Sequence, residues 1–165
     1  MAFDAYLKIE GIPGESLDSQ HAEWIEILQY SYDVSQAISA TASSAGGATA
    51  GRIDIGDFQI SKFVDRASPK LYESCCAGQH FKKVTLHINR AGGTNKVRYL
   101  EIVMEEVLIS AVSGSGAASG DLPMEAVHFN FGRIKFNYIQ QKRDSGSGSG
   151  NISGGWDRIG NKRYS

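Results

Sequence analysis

The chain has 165 residues, the length of one domain. Its 17 Lys and Arg stand against 18 Asp and Glu, and a protein that must neutralise several phosphates needs a basic excess, so the balance counts against a nucleic-acid binder. A hydrophobic share of 41% with 19 glycines and three prolines suits a globular domain rich in turns, large enough to fold without a metal or a disulfide.

Phe3, Ala5, Leu7 and Ile9 alternate with Asp4, Tyr6, Lys8 and Glu10, which predicts a half-buried strand. The N-terminus lacks the basic and apolar regions of a cleavable secretory signal, and no apolar run approaches the ~20 residues of a membrane span. The segment from Trp24 to Asp33 reads as a strand, with Leu28, Tyr30, Tyr32 and Val34 on one face and Gln29, Ser31 and Asp33 on the other. Residues 37–51 carry no charge and are mostly Ala, Gly, Ser and Thr; a structureless stretch beyond ~12–15 residues is usually functional or disordered.

Ile53 and Ile55 give way to Phe58 and Ile60 across Gly56, a change of phase that predicts a bulge. Ser68 as cap, Pro69 at the first helical position and Gly78 past the end predict a helix over about 69–77. Leu71, Cys75, Tyr72 and Cys76 are expected to face inward. Adjacent Cys75 and Cys76 are read as reduced thiols, in keeping with folding in a reducing cytosol. Val84, Leu86 and Ile88 predict a strand, and residues 96–112 a longer one covered on both faces. Residues 113–120 read as a flexible connection. Val127, Phe129 and Phe131 give way to Ile134, Phe136 and Tyr138 across Gly132, predicting a second bulge and an aromatic core face. The expected organisation is a β domain over 1–143, a flexible Gly/Ser-rich segment over 144–155, and a C-terminal segment over 156–165 able to dock back.

Catalytic patterns are sought without success. Gly114-Ser115-Gly116 is followed by Gly120, one place late for a dinucleotide fingerprint, and then by a strand rather than a helix. Gly46 and Gly51 have P-loop spacing, but Arg52-Ile53 replaces the lysine and hydroxyl that loop requires. His21, His80, His87 and His128 lack metal-ligand spacing, and His87 and His128 read as surface or interface imidazoles. Glu105 and Glu106 are strand neighbours facing opposite ways. The expectation is a protein that is not an enzyme, with no cofactor and no metal.

The order of matching segments is more specific than any one motif. Met1 to Ile9, Gly11-Ile12-Pro13-Gly14-Glu15-Ser16 and His21 open the series. Asp65-Arg66-Ala67-Ser68-Pro69-Lys70-Leu71, Gly78-Gln79-His80, Arg90-Ala91-Gly92-Gly93 and Tyr99-Leu100-Glu101-Ile102 continue it, and Phe129-Asn130-Phe131 and Gly155-Trp156-Asp157 end it. Taken together they resemble the Hcp (haemolysin-coregulated protein) family, the tube proteins of bacterial type VI secretion. Residues 144–155 depart from the family by being richer in Gly and Ser.

The resemblance implies a mainly β fold: a curled β-barrel of two antiparallel-rich sheets with one short flanking helix, ring-forming and similar to phage tail-tube proteins. It implies a homohexamer whose rings stack into a tube, with spike and sheath components and effector proteins in the lumen as partners. It also implies residence in the bacterial cytoplasm before firing, then release without a cleavable signal. The competing reading is a secreted effector or binding module for which the ring is secondary.

Within that frame Gln29 and Ser31 are expected to line the lumen, set against a plain solvent-facing side. Ser39, Ala40, Thr41, Ser43, Ser44, Gly46, Gly47 and Thr49 are candidates for contact with a neighbouring subunit or ring, because an uncharged loop is cheap to desolvate. The competing reading is a disordered surface loop.

Overall fold

The computed structural model describes residues 2–38, 50–90, 96–141 and 148–165. Along them run β1 (Phe3–Ile9), β2 (Ile25–Ile27), β3 (Gln29–Ser31), β4 (Val34–Ile38), β5 (Ala50–Ile55) and β6 (Phe58–Phe63). The helix α1 (Ser68–Ala77) follows, then β7 (His80–Arg90), β8 (Arg98–Ser115), β9 (Met124–Gln141), β10 (Gly148–Asp157) and β11 (Lys162–Arg163). Every ladder among the described residues is antiparallel.

One sheet has the order β11-β10-β9-β8-β7-β1-β2, with β6 joined to β9 and β3 joined to β6; β4 and β5 form a second sheet. β2 and β3 end the run β2-β1-β7-β8-β9-β6-β3, yet Leu28 alone separates them in the chain. The Leu28 N–H donates to the Ser61 carbonyl at 2.8 Å. The wall therefore curls into a barrel-like form although no ladder joins β2 to β3.

Alternation creates its core. Ala5, Leu7 and Ile9 from β1, Leu86 and Ile88 from β7, Ile102 and Met104 from β8, and Phe58 and Ile60 from β6 are all buried in one cluster. The long strands change face midway: β8 buries Ile102 and Met104, then Val107 and Ile109, and β9 buries Val127, Phe129 and Phe131, then Ile134. Glu106, with φ 53°, marks the change on β8, and Gly132 marks it on β9. The partners on either side, Glu105↔Arg133 and Val107↔Phe131, stay in register, so both strands flip together. The register shift that does occur falls between Ile109 and Ala111, not at Gly132. Gly56 likewise holds no bulge; it lies in the corner where β5 leaves one sheet and β6 enters the other.

α1 ends as its sequence predicts, with Gly78 in the left-handed region at φ 61° and its N–H returned to the Cys75 carbonyl. It begins differently. Ala67 occupies the cap position without a side-chain bond. The Ser68 hydroxyl turns inward to donate to Glu125 Oε1 at 2.6 Å while accepting from the Asp65 N–H at 3.0 Å. Leu71 is fully buried, whereas Tyr72 and Cys76 face outward and Cys75 is half-covered. A ten-residue helix against one wall, β8, has one inward stripe and no room for a second.

Three further expectations need correction. Leu28 and Val34 are exposed; Tyr30 packs on the core, and Tyr32, half exposed, stacks on Phe58 at 6.0 Å, because the strand breaks at Leu28 and its phase is reset. His87 is buried rather than superficial, covered by the segment between β1 and β2. The stretch read as a linker holds β10, which pairs with β9 from Gly148 to Asp157. Strand propensity is weak in glycine and serine, and a waiting partner strand overrides it.

Candidate functional site

Gln29 and Ser31 are both exposed on β3, facing away from the core. Their ladder partners extend that face. Gln29 lies opposite Ser61, which lies opposite Ala126, which lies opposite Ser113. One row along, Ser31 is followed by Gln59, His128 and Ala111. Eight side chains on four strands thus form a surface of small or polar groups without a Lys, Arg, Asp or Glu among them. Phe58, Ile60, Val127 and Phe129 hold the reverse side in the core. Sequence reasoning found two of the eight. The other six were legible as the off-phase partners of those buried residues, but only knowledge of strand pairing brings them together.

Asp57 pins the adjoining corner. Ser110 Oγ donates to its Oδ2 at 2.6 Å and Asn130 Nδ2 to its Oδ1 at 3.1 Å. Ser110 sits at the register shift of β8, so this carboxylate fixes the bulge that bends the strand beside the polar rows.

A cleft of about 200 Å³ separates the β4–β5 sheet from the barrel, and Tyr32, Ile53, Ile55, Phe136 and Trp156 are among its walls. β4 is exposed along its whole length, while β5 reaches the core through Ile55. Ser39, Ala40, Thr41, Ser43, Ser44, Gly46, Gly47 and Thr49, which lie between β4 and β5 in the chain, fall outside the described residues.

The C-terminal strands are anchored on β9. The Arg158 N–H donates to the Gly132 carbonyl at 2.8 Å and its guanidinium to the Phe131 carbonyl at 3.1 Å. Tyr164 Oη donates to Glu105 Oε1 at 2.6 Å. Among the described residues, Gly150–Gly154 of β10 pair on one side only, with β9.

Residues 6–138 match the family model described as type VI secretion system effector, Hcp. The protein Hcp1 of Pseudomonas aeruginosa is 38% identical over 157 residues, covering 95% of this chain and 96% of that one. The solved structure of a type six secretion system protein superposes with a TM-score of 0.92 at 30% identity, over 99% of this chain and all of the other. Hcp1 from Salmonella typhimurium superposes at 0.79, also at 30% identity and with the same coverage. With a family match across most of its length and a relative of this identity, the chain belongs to the Hcp family of type VI secretion proteins.

Proposed function

We propose that this protein is the ring subunit of the type VI secretion inner tube. Six copies stand side by side, rings stack, and the tube leaves the cell carrying effector proteins in its bore, with spike and sheath components as its other partners. Before firing it resides in the bacterial cytoplasm. The observation that carries this reading is the polar double row on a curled wall, Gln29 to Ser113 and Ser31 to Ala111. A bore that must pass unlike cargoes is best lined by short, polar, formally uncharged groups, which neither grip nor repel them.

The open side of β10 supports lateral joining, because an unpaired strand edge is completed most readily by another strand. A subunit joined head-to-tail closes into a ring when its rotation closes. The uncharged residues 39–49 are assigned to contact with a neighbouring subunit or ring; deleting them is expected to weaken stacking more than folding.

Light scattering tests the ring. Six times the 17.9 kDa chain gives about 107 kDa, and negative-stain images should show rings with a central hole. A monomer at micromolar concentration would favour the secreted effector or binding module instead. Ser31→Arg tests the bore: rings should persist while cargo association is lost, and unaltered cargo binding would remove Ser31 from the lumen.

A further inference from the structure

Residues 10–24 leave β1, cover the outer side of the sheet and return as β2. Backbone bonds shape this strap: Gly14 N–H to Glu23 O at 2.7 Å, Glu23 N–H to Ser16 O at 2.9 Å, and Ser16 N–H to Trp24 O at 3.1 Å. A line of side chains ties it to the sheet beneath. Asp18 Oδ1 lies 2.9 Å from His21 Nδ1, His21 Nε2 lies 3.0 Å from His87 Nδ1, and His87 Nε2 lies 2.7 Å from Glu101 Oε2. Both imidazoles are buried. Tyr6 stacks on His21 at 4.4 Å, and the Trp24 ring stands 4.8 Å from His21 and 4.6 Å from His87.

Counting protons defines the state of this line. Two carboxylates accept at its ends, so three hydrogen bonds require three protons on the four ring nitrogens, whereas two neutral imidazoles carry only two. Filling all three contacts puts His21 Nδ1–H on Asp18, His87 Nε2–H on Glu101 and a third proton between the rings, an arrangement with one positive charge on the pair. Lys96 meets Asp18 at 3.0 Å and Arg98 meets Glu101 at 3.2 Å. The other charged groups nearby are Asp4, 3.7 Å from Lys96, Glu26 opposite Tyr6 on β2, and Lys8, whose ammonium lies 5.8 Å from the Trp24 ring centre.

We propose that the His21–His87 pair is an acid-released latch on the 10–24 strap. A fourth proton puts an N–H on both sides of the contact between the rings, removes its acceptor and lets the strap lift. Burial, foremost, with Arg98 and His21 adding to it, holds His87 down to about 4 from an ordinary 6.5, against the pull of Glu101. The unfolded ring therefore takes a proton that the latched ring refuses. The stabilisation is complete above the unfolded value and is lost as pH falls through the folded one. The latch belongs to a single chain and stands whether or not rings form.

Nitrogen-resolved NMR of the histidine rings, with hydrogen exchange, provides the test. At about pH 7 three of the four ring nitrogens of the pair should carry protons. Towards about pH 4, protection of the Gly14, Ser16 and Glu23 amides should drop by about tenfold relative to core amides of β8. His87→Gln accepts from His21 and donates to Glu101 without titrating, so its strap should stay protected over the same range. Two ring protons at neutral pH, or equal acid release in the variant and the parent, overturns the proposal. Where the variant does not fold, the proton count in the parent decides alone.

Discussion

Lys62 Nζ is paired with Glu125 Oε1, and no part of the lysine side chain reaches solvent. Asp65 Oδ1 at 2.8 Å, Ser68 Oγ at 3.2 Å and the Phe63 carbonyl at 3.0 Å complete its surroundings. The residues that open α1 are therefore bound to the end of β6 and the start of β9 through one ammonium group. Removing a single partner strands a buried charge. Lys62→Met is expected to cost about 3–5 kcal/mol in urea denaturation. Pairing it with Glu125→Leu should recover part of that, since Glu125 no longer stands alone while Asp65 still loses its ammonium partner. A loss below about 1 kcal/mol for the single variant would show that water reaches the pair.

Gly155 demonstrates close approach. A Cβ there would press into the main chain of both Ile134 and Tyr164, and neither backbone can turn aside as a side chain can. Gly155→Ala should part β10 from β9 and release the C-terminal strands, seen as faster amide exchange at Trp156 and Tyr164 while β7 and β8 remain protected. Unchanged exchange would contradict the packing described.

Acid should loosen the same region by a separate route. The Asp157 carboxylate accepts the Gly160 N–H at 3.0 Å and the Ile159 N–H at 2.9 Å, with Arg133 at 3.5 Å. These bonds, that from Gly160 foremost, hold its carboxyl below the ordinary value of 3.8. A depressed carboxyl stabilises the fold above its unfolded pKa and ceases to do so as pH falls through the folded one. Bonds from His21 and then Lys96 likewise hold the Asp18 carboxyl well below its ordinary value. Stability measured by denaturant should therefore decline as pH falls below about 4, and Asp157→Asn should flatten part of that decline. An identical pH profile in the variant would remove Asp157 from the account.

Phe129 packs at the centre of the core with no exposed surface. Phe129→Ala is expected to cost about 3–5 kcal/mol by equilibrium unfolding. Tyr138, from the same predicted aromatic face, lies 36% exposed beyond the point where the core ends. Truncating it should cost far less.

The period of two was enough to read β1, β7, β8 and β9, because each has one buried face and its alternation survives in the letters. The change of face near Gly132 was also legible, but its cause was not: Glu106 takes a left-handed backbone on the opposite strand, and nothing in its neighbours signals that. β10 was hidden because glycine and serine carry no face to read; its place is set by β9 and by the close approach at Gly155. The burial of His87 is hidden from the sequence for a related reason. A residue on the polar phase of a strand looks solvated until a distant strap covers it, and a separation of 66 positions between His21 and His87 conceals that contact. Gln29 and Ser31 were found from alternation alone, whereas their six companions depend on which strands are neighbours.

Between Gly148 and Gly155 there is neither a charge nor a proline, the features that ordinarily ward off stray strands. Among the described residues the free side of β10 is thus an unguarded flank. Under the proposed ring assembly, expression level and the speed of ring closure become linked, and a mutant slow to close should tangle with whatever extended polypeptide it meets first.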